Sequence, residues 1–203
     1  MGERPAATAV GAVLAGGRGR RLGGAKPTVE LGGRALIEYP LAAVAAAGLE
    51  PLVIAKAETA LPPLGCRVAH EPDSPRHPLH GILTALREAG GRPVVAVGCD
   101  MPFLSPGLLA WLASRPEPLV LLDPGAGPQP FPGRYDPALA ADLETQLEAE
   151  APLRRTLATL EPRTIGAAEL GRFGPLERLC FNVNTPADLA RAGSLVPDLP
   201  RQL

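Results

Sequence analysis

An apolar strand that runs straight into glycine and positive charge is the feature that most restricts this chain. Ala9 to Leu14 is a short run of small apolar residues, the length of a buried parallel strand. Five of the next ten residues are glycine: Gly16, Gly17, Gly19, Gly23 and Gly24. Glycine permits positive φ and lets backbone N–H groups approach a ligand closely. Arg18, Arg20, Arg21 and Lys26 share the stretch, with no acid among them. A cationic, glycine-rich loop at the carboxyl end of a strand suits a polyphosphate.

Two familiar phosphate motifs fail on spacing. The dinucleotide fingerprint G-x-G-x-x-G would need glycine one residue earlier than Gly23, after Gly17 and Gly19. The P-loop needs Gly before its Lys and Ser or Thr after it, whereas Ala25 and Pro27 flank Lys26. The stretch instead resembles L-A-G-G-x-x-x-R-[ML]-G-x-x-K, the opening of the molybdenum cofactor guanylyltransferase family. Leu14-Ala15-Gly16-Gly17, Arg21-Leu22-Gly23 and Lys26 match it in type and spacing. The family usually carries Asp before the lysine, where this chain has Ala25.

Two further segments carry the resemblance. Cys99-Asp100-Met101-Pro102-Phe103-Leu104 follows the strand-like run Pro93–Gly98 and resembles the family's metal-binding aspartate motif. Independently of any family, a carboxylate at the tip of a parallel strand, facing a phosphate loop, is well placed to hold Mg²⁺. Near the end, Asn182-Val183-Asn184-Thr185-Pro186-Ala187-Asp188-Leu189 resembles the closing motif. There Thr185, Pro186 and Asp188 read as N-cap, N1 and N3 of a helix, while the two asparagines are not needed for capping. Between these lies His70 to Gly81, a polar, proline-rich loop ending in the matching Pro-Leu-x-Gly. Asp73 is the acid expected to contact the nucleotide, with Glu71 as its competitor. His77 and His80 are read as non-ligands, because no third ligand stands near them.

The rest of the chain reads as alternating strands and helices. Leu52–Ala55, Arg67–Ala69, Leu119–Leu122 and Arg163–Ile165 suit strands; 35–47, 81–89, 108–113, 137–149 and 152–160 suit helices. Ser105 and Pro106 are expected to start the third of these. Residues 123–133 look like a loop, and Gln129 to Tyr135 resembles a strand-turn segment beside the acceptor substrate of related enzymes. Trp111 is expected in the core or as cover for a helix, not as a platform that stacks on a ligand. Arg154 and Arg155 face either solvent or an anion. The expected fold is therefore a three-layer, doubly wound α/β domain with a mostly parallel central sheet, similar to the nucleotide-diphospho-sugar transferases. It should span residues 1–203 as one domain, with 1–7 and 197–203 frayed.

Composition excludes several classes. A formal net charge of −1 and the lack of a long basic run argue against nucleic-acid binding. No apolar run suits a membrane span or a signal peptide. The isolated Cys66, Cys99 and Cys180 form no C-x-x-C pair and fit a reducing cytoplasm. The resemblance implies an enzyme that transfers GMP from GTP to molybdenum-bound molybdopterin with Mg²⁺ as cofactor. A molybdoenzyme chaperone or an upstream cofactor-synthesis protein would be a further partner. By the same resemblance, Lys26, Arg21 and Asp100 are catalytic and Asp100 holds the metal. Leu14, Ala15, Gly16, Gly17, Lys26, Asp73 and Asp100 bind nucleotide, and Asn182 and Asn184 meet the pterin. The rival readings are a cytidylyltransferase acting on the same pterin, another small nucleotidyltransferase, and a non-catalytic relative that binds nucleotide or pterin.

Overall fold

Apolar runs become the middle of the sheet because both of their faces are covered. The computed structural model describes residues 9–17, 20–22, 24, 26–74 and 77–196. Gly19, Gly23 and Ala25 of the opening loop lie outside the described residues, as do both chain ends expected to fray. Strand β1 (Val10–Leu14) leads into the loop, which closes with β2 (Glu30–Leu31) and β3 (Arg34–Ala35), a small antiparallel hairpin. Helix α1 (Glu38–Ala46), β4 (Glu50–Ala55), β5 (Arg67–His70), α2 (Leu79–Glu88) and β6 (Val94–Gly98) complete the first half. Then come α3 (Pro106–Ala113), β7 (Leu119–Asp123), β8 (Gln129–Tyr135), α4 (Ala140–Glu148), α5 (Leu153–Thr159) and β9 (Arg163–Gly166). Short helices α6 (Ala167–Leu170) and α7 (Leu176–Leu179) precede the closing α8 (Pro186–Leu195).

Seven strands form the main sheet in the order β5-β4-β1-β6-β8-β7-β9. The β1–β4, β1–β6, β4–β5 and β7–β9 pairs are parallel, and only β8 runs against its neighbours. Successive residues of a strand face opposite sides, and the core divides accordingly. Val13, Val53, Val95 and Val97 pack with Ala43, Val44, Leu108, Leu109 and Leu112 under α1 and α3. Ala12, Leu52, Ile54 and Ala96 pack with Ile82, Leu83, Leu86, Leu143 and Leu157 under α2, α4 and α5. These are the three layers expected. Each fully buried Leu or Ile contributes about 2 kcal/mol in lost apolar exposure. A third cluster of Leu31, Leu36, Tyr39, Phe103, Phe181, Val183 and Ala192 fastens α8 and the hairpin beside the sheet. The Phe103 and Phe181 rings meet edge-on there, with centroids 5.4 Å apart.

The structure departs from the sequence reading at several points. Helix α1 starts at Glu38 instead of Ala35, because Arg34 and Ala35 pair with Leu31 and Glu30. It stops where expected: Gly48, at φ 74°, donates to Ala45 O, and Leu49 donates to Val44 O. Ser105 has extended N-cap backbone with Pro106 following, yet its side chain makes no capping hydrogen bond. The loop expected over 123–133 gives way at Gln129 to β8, which lies inside the sheet and covers the Gln129–Tyr135 strand-turn segment that the resemblance implied. Pairing with β6 covers only Gly133 to Tyr135, and the ladder with β7 shifts register between Leu121 and Leu122, leaving Pro130 and Pro132 outside the paired positions. Trp111 is half-buried, 5.8 Å from the Phe173 ring, with Arg115, Arg163 and Arg172 over it. Arg154 and Arg155 are exposed.

Candidate active site

Strand register brings the motifs to one edge. Leu14 is level with Ile54 and with Gly98, and Ala55 is level with His70, so four strands end together. Past those ends, Ala15 N–H donates to Ile54 O at 2.7 Å and Cys99 N–H to Leu14 O at 3.1 Å. The opening loop, the acidic loop and Asp100 therefore leave the same carboxyl edge, where ligands bind in open α/β sheets. They surround a cavity of about 420 Å³.

At one end of the cavity stands Lys26, in a short 3-10 turn over Lys26–Thr28. Its Nζ lies 2.6 Å from Asp100 Oδ2 and 2.6 Å from Asn184 Oδ1. Both side chains of the ion pair are mostly buried, at 15% and 19% exposure. Asn184 arrives through the backbone, since Val183 N–H donates to Asp100 O at 2.9 Å. The following helix is anchored by the expected capping box, in which Asp188 N–H donates to Thr185 Oγ1 and Thr185 N–H to Asp188 Oδ2. Three motifs separated by 74 and 158 residues thus meet at one ammonium group.

Glu71 stands at the other end. Its N–H continues the β4–β5 pairing by donating to Ala55 O at 2.9 Å. Its carboxylate lies against the Gly16 backbone, where an added Cβ would sit 1.8 Å from Oε1, and close to Gly81. Lys56 Nζ is 3.6 Å from Oε1 and donates to Pro72 O at 2.5 Å. Burial raises the Glu71 carboxyl above the ordinary range, and the Lys56 charge opposes that rise. Of the two acids left open by the sequence, Glu71 lines the cavity, while the Asp73 side chain is 59% exposed and stands 4.0 Å from Lys56. Lys56 also lines the cavity, and the sequence reading gave it no role. The available signal was its position directly after an apolar strand, the same placement that singled out Asp100.

Other expected site residues are distributed as follows. Leu14, Gly16, Gly17, Lys26 and Asp100 line the cavity; Ala15 is fully buried behind it. Arg21 is exposed and does not line it. The Asn182 side chain donates to Cys180 O at 2.9 Å, away from the lining. His77 borders the cavity but serves the backbone: Nδ1 accepts from Leu79 N–H, and Nε2 meets Ala151 O at 2.9 Å. Cys99 also borders it; burial pushes its thiol up to about 12, so it is no nucleophile near neutral pH. Among the described residues, no group of three or more His, Cys, Asp or Glu converges as a metal cluster. Among them, too, no helix is long and apolar enough to cross a membrane.

Known proteins resemble this chain in sequence and in fold. The MobA-like NTP transferase domain family matches residues 11–164. A molybdenum cofactor guanylyltransferase of Cereibacter sphaeroides is 36% identical over 92% of this chain and 96% of its own length. A probable molybdenum cofactor guanylyltransferase of Pelotomaculum thermopropionicum is 31% identical over 91% of each chain. Among solved structures, molybdopterin-guanine dinucleotide biosynthesis protein A of Archaeoglobus fulgidus superposes with a TM-score of 0.78 at 26% identity, covering 93% of this chain and 99% of that one. The fold also matches 2-C-methyl-D-erythritol 4-phosphate cytidylyltransferase of Thermus thermophilus, with a TM-score of 0.68 at 20% identity over 93% and 99% of the two chains. A family model spanning residues 11–164 and relatives covered over most of their length agree: the chain belongs to the MobA-like NTP transferase family, with the molybdenum cofactor guanylyltransferases as its relatives.

Proposed function

We propose that this protein transfers GMP from GTP to the terminal phosphate of molybdenum-bound molybdopterin, releasing pyrophosphate. The observation that carries the reading is the convergence of Lys26, Asp100 and Asn184 at one end of a cavity whose other end holds Glu71. A triphosphate belongs with Lys26 and the loop N–H groups. A phosphate placed beside the Glu71 carboxylate would be repelled, so the base belongs there. The guanylyltransferase relatives support guanine as that base.

In the reaction, an oxygen of the acceptor phosphate forms a bond to the α-phosphorus of GTP. The bond from that phosphorus to the oxygen bridging to the β-phosphate breaks, and pyrophosphate leaves with the electron pair. No protein nucleophile is needed, in keeping with the protonated Cys99 thiol. Lys26 stabilises the negative charge that grows on the departing pyrophosphate, as a preorganised cation should. Arg21, exposed on the opening loop, adds charge from outside. The backbone of Leu14, Ala15 and Gly16 lines the base pocket, and Asp73 stands at its outer rim.

Mg²⁺ suits the residues present. Asp100 and Asn184 direct two oxygens at a single cation, the Lys26 ammonium. One carboxylate is enough for an ion that takes its remaining ligands from substrate phosphates and water. Asp100 would hold it, and when bound it would supply Lewis acidity and a template for the phosphates. The pterin enters beside Asn182 and Asn184. The Asn182 amide N–H is committed to Cys180 O, which leaves its carbonyl to accept from the pterin.

A competition titration of GTP, CTP, ATP and UTP tests the reading. GTP should displace a bound fluorescent nucleotide at the lowest concentration. A lower midpoint for CTP would move the protein to the cytidylyltransferase reading.

A further inference from the structure

Lys56 has no part in the phosphate chemistry above, yet it is buried within the nucleotide cavity. Its position follows from sheet register. Ala55 and His70 are paired at the ends of β4 and β5, so the residues after them, Lys56 and Glu71, leave the edge side by side. The Lys56 side chain is 11% exposed and that of Glu71 is 10% exposed. An ammonium group has three N–H donors and no acceptor. One donor is taken by Pro72 O at 2.5 Å, and Glu71 Oε1 stands 3.6 Å off, beyond a close hydrogen bond. Asp73 Oδ1 lies at 4.0 Å on the solvent side. The ammonium therefore retains donor capacity, and Lys56 borders the cavity. Among the described residues, no other ion pair engages the Glu71 carboxylate, so it keeps acceptor capacity beside that donor.

We propose that Lys56 is a specificity-determining residue of the base pocket, donating to O6 of guanine while Glu71 accepts from N1–H and the exocyclic amine. This rests on the guanine reading of the cavity given above. Guanine carries an acceptor, O6, next to a donor, N1–H, and a second donor on N2; a lysine beside a glutamate is the complement of that edge. Adenine in the same pose sets its N6 amine against the ammonium and its N1 lone pair against the carboxylate. Both contacts are repulsive. Buried polar groups left unpaired in this way reject the wrong ligand more strongly than a change of size does.

The test uses nucleotide binding to the full chain, measured calorimetrically with GTP, 6-thio-GTP, ITP and CTP. Replacing O6 with sulfur weakens only that acceptor, and ITP lacks only the 2-amino group. Wild type should bind 6-thio-GTP more weakly than GTP. Lys56→Met should bind GTP roughly 10- to 100-fold more weakly, the scale for losing a charged hydrogen bond. In that variant the ratio between GTP and 6-thio-GTP should fall to near one, while the ratio between GTP and ITP persists. Lys56→Gln, which keeps an N–H donor without the charge, should lower that ratio part of the way towards one and remains informative even if the Met variant does not fold. A ratio between GTP and 6-thio-GTP left at its wild-type value in Lys56→Met or in Lys56→Gln would show that Lys56 only neutralises Glu71 and would overturn the proposal alone. Wild type binding CTP more tightly than GTP would overturn the guanine reading itself, and this proposal with it.

Discussion

Gly16→Ala is the smallest change that should disable base recognition. A Cβ at position 16 would stand 1.8 Å from Glu71 Oε1 and 2.9 Å from its Cδ. Side-chain carbons do not approach other heavy atoms closer than 3.0 Å, so the carboxylate must retreat by about 1.2 Å. As the free end of a flexible side chain it can move, but only by leaving its present place beside Lys56, 3.6 Å from Nζ. A hydrogen bond near 2.9 Å stretched by that amount is lost. A hydrogen bond to a charged group is worth about 1.5–3 kcal/mol, so GTP should bind roughly 10- to 150-fold more weakly. The backbone at Gly16 is not in the left-handed region, so alanine adds no strain there. Titration calorimetry of GTP, with thermal unfolding as a control, reads both effects: weaker binding at a nearly unchanged Tm. Wild-type affinity in a folded Gly16→Ala protein would refute the reasoning, because it would mean that Glu71 does not touch the base.

Other substitutions address the phosphate end. Asp100→Asn should abolish Mg²⁺-dependent turnover while circular dichroism stays native, since a hard cation loses its carboxylate; near-normal turnover at limiting Mg²⁺ would count against the assignment. Lys26→Ala should lower kcat/KM by roughly 10²–10³-fold, the effect of losing one preorganised charge-stabilising group; a change confined to Tm would remove its role. With its thiol pushed up to about 12, Cys99 should be roughly 10⁻⁴ ionised at pH 8. Mass spectrometry should then find it unalkylated in the native protein, and Cys99→Ala should keep its activity; rapid alkylation or lost turnover would reopen covalent chemistry. Hydrogen bonds from Thr185 hold the Asp188 carboxyl below its ordinary range. A depressed carboxyl adds stability above its unfolded value that is lost as pH falls through the folded one, so Asp188→Ala should flatten the acid limb of a Tm–pH curve. An unchanged acid limb would show that the box contributes nothing there.

The elements legible in the sequence were those specified locally. The strand and glycine loop at Leu14–Gly17, the aspartate after Gly98 and the Thr185–Asp188 box each carry their own signal within a few residues, and all stand where expected. Strand β8 was legible only through the family resemblance, which read Gln129 to Tyr135 as a strand and turn; the residues alone read as a loop, because only the bulged pairing with β7 makes room for Pro130 and Pro132. Helices α6 and α7, of four residues each, are too short for any period to register. The site was harder to read wherever a role depends on the register between strands. Glu71 and Asp73 are two residues apart and would face the same way in extended chain, so which of them enters the cavity depends on where the chain turns away after β5. Lys56 acquires its place only because β4 and β5 end together. Asn182 and Asn184 look equivalent in sequence, yet the backbone bond from Val183 to Asp100 directs one side chain to Lys26, and the other is held at Cys180.

Product analysis tests the central claim most directly. The protein would be incubated with α-labelled GTP, molybdenum-loaded molybdopterin and Mg²⁺, and the label followed by chromatography with pyrophosphate counted in parallel. The account predicts a labelled guanine dinucleotide of the pterin, one pyrophosphate for each molecule formed, and no product in Asp100→Asn. Labelled CTP yielding dinucleotide where GTP yields none, or pyrophosphate released without transfer to the pterin, would contradict it.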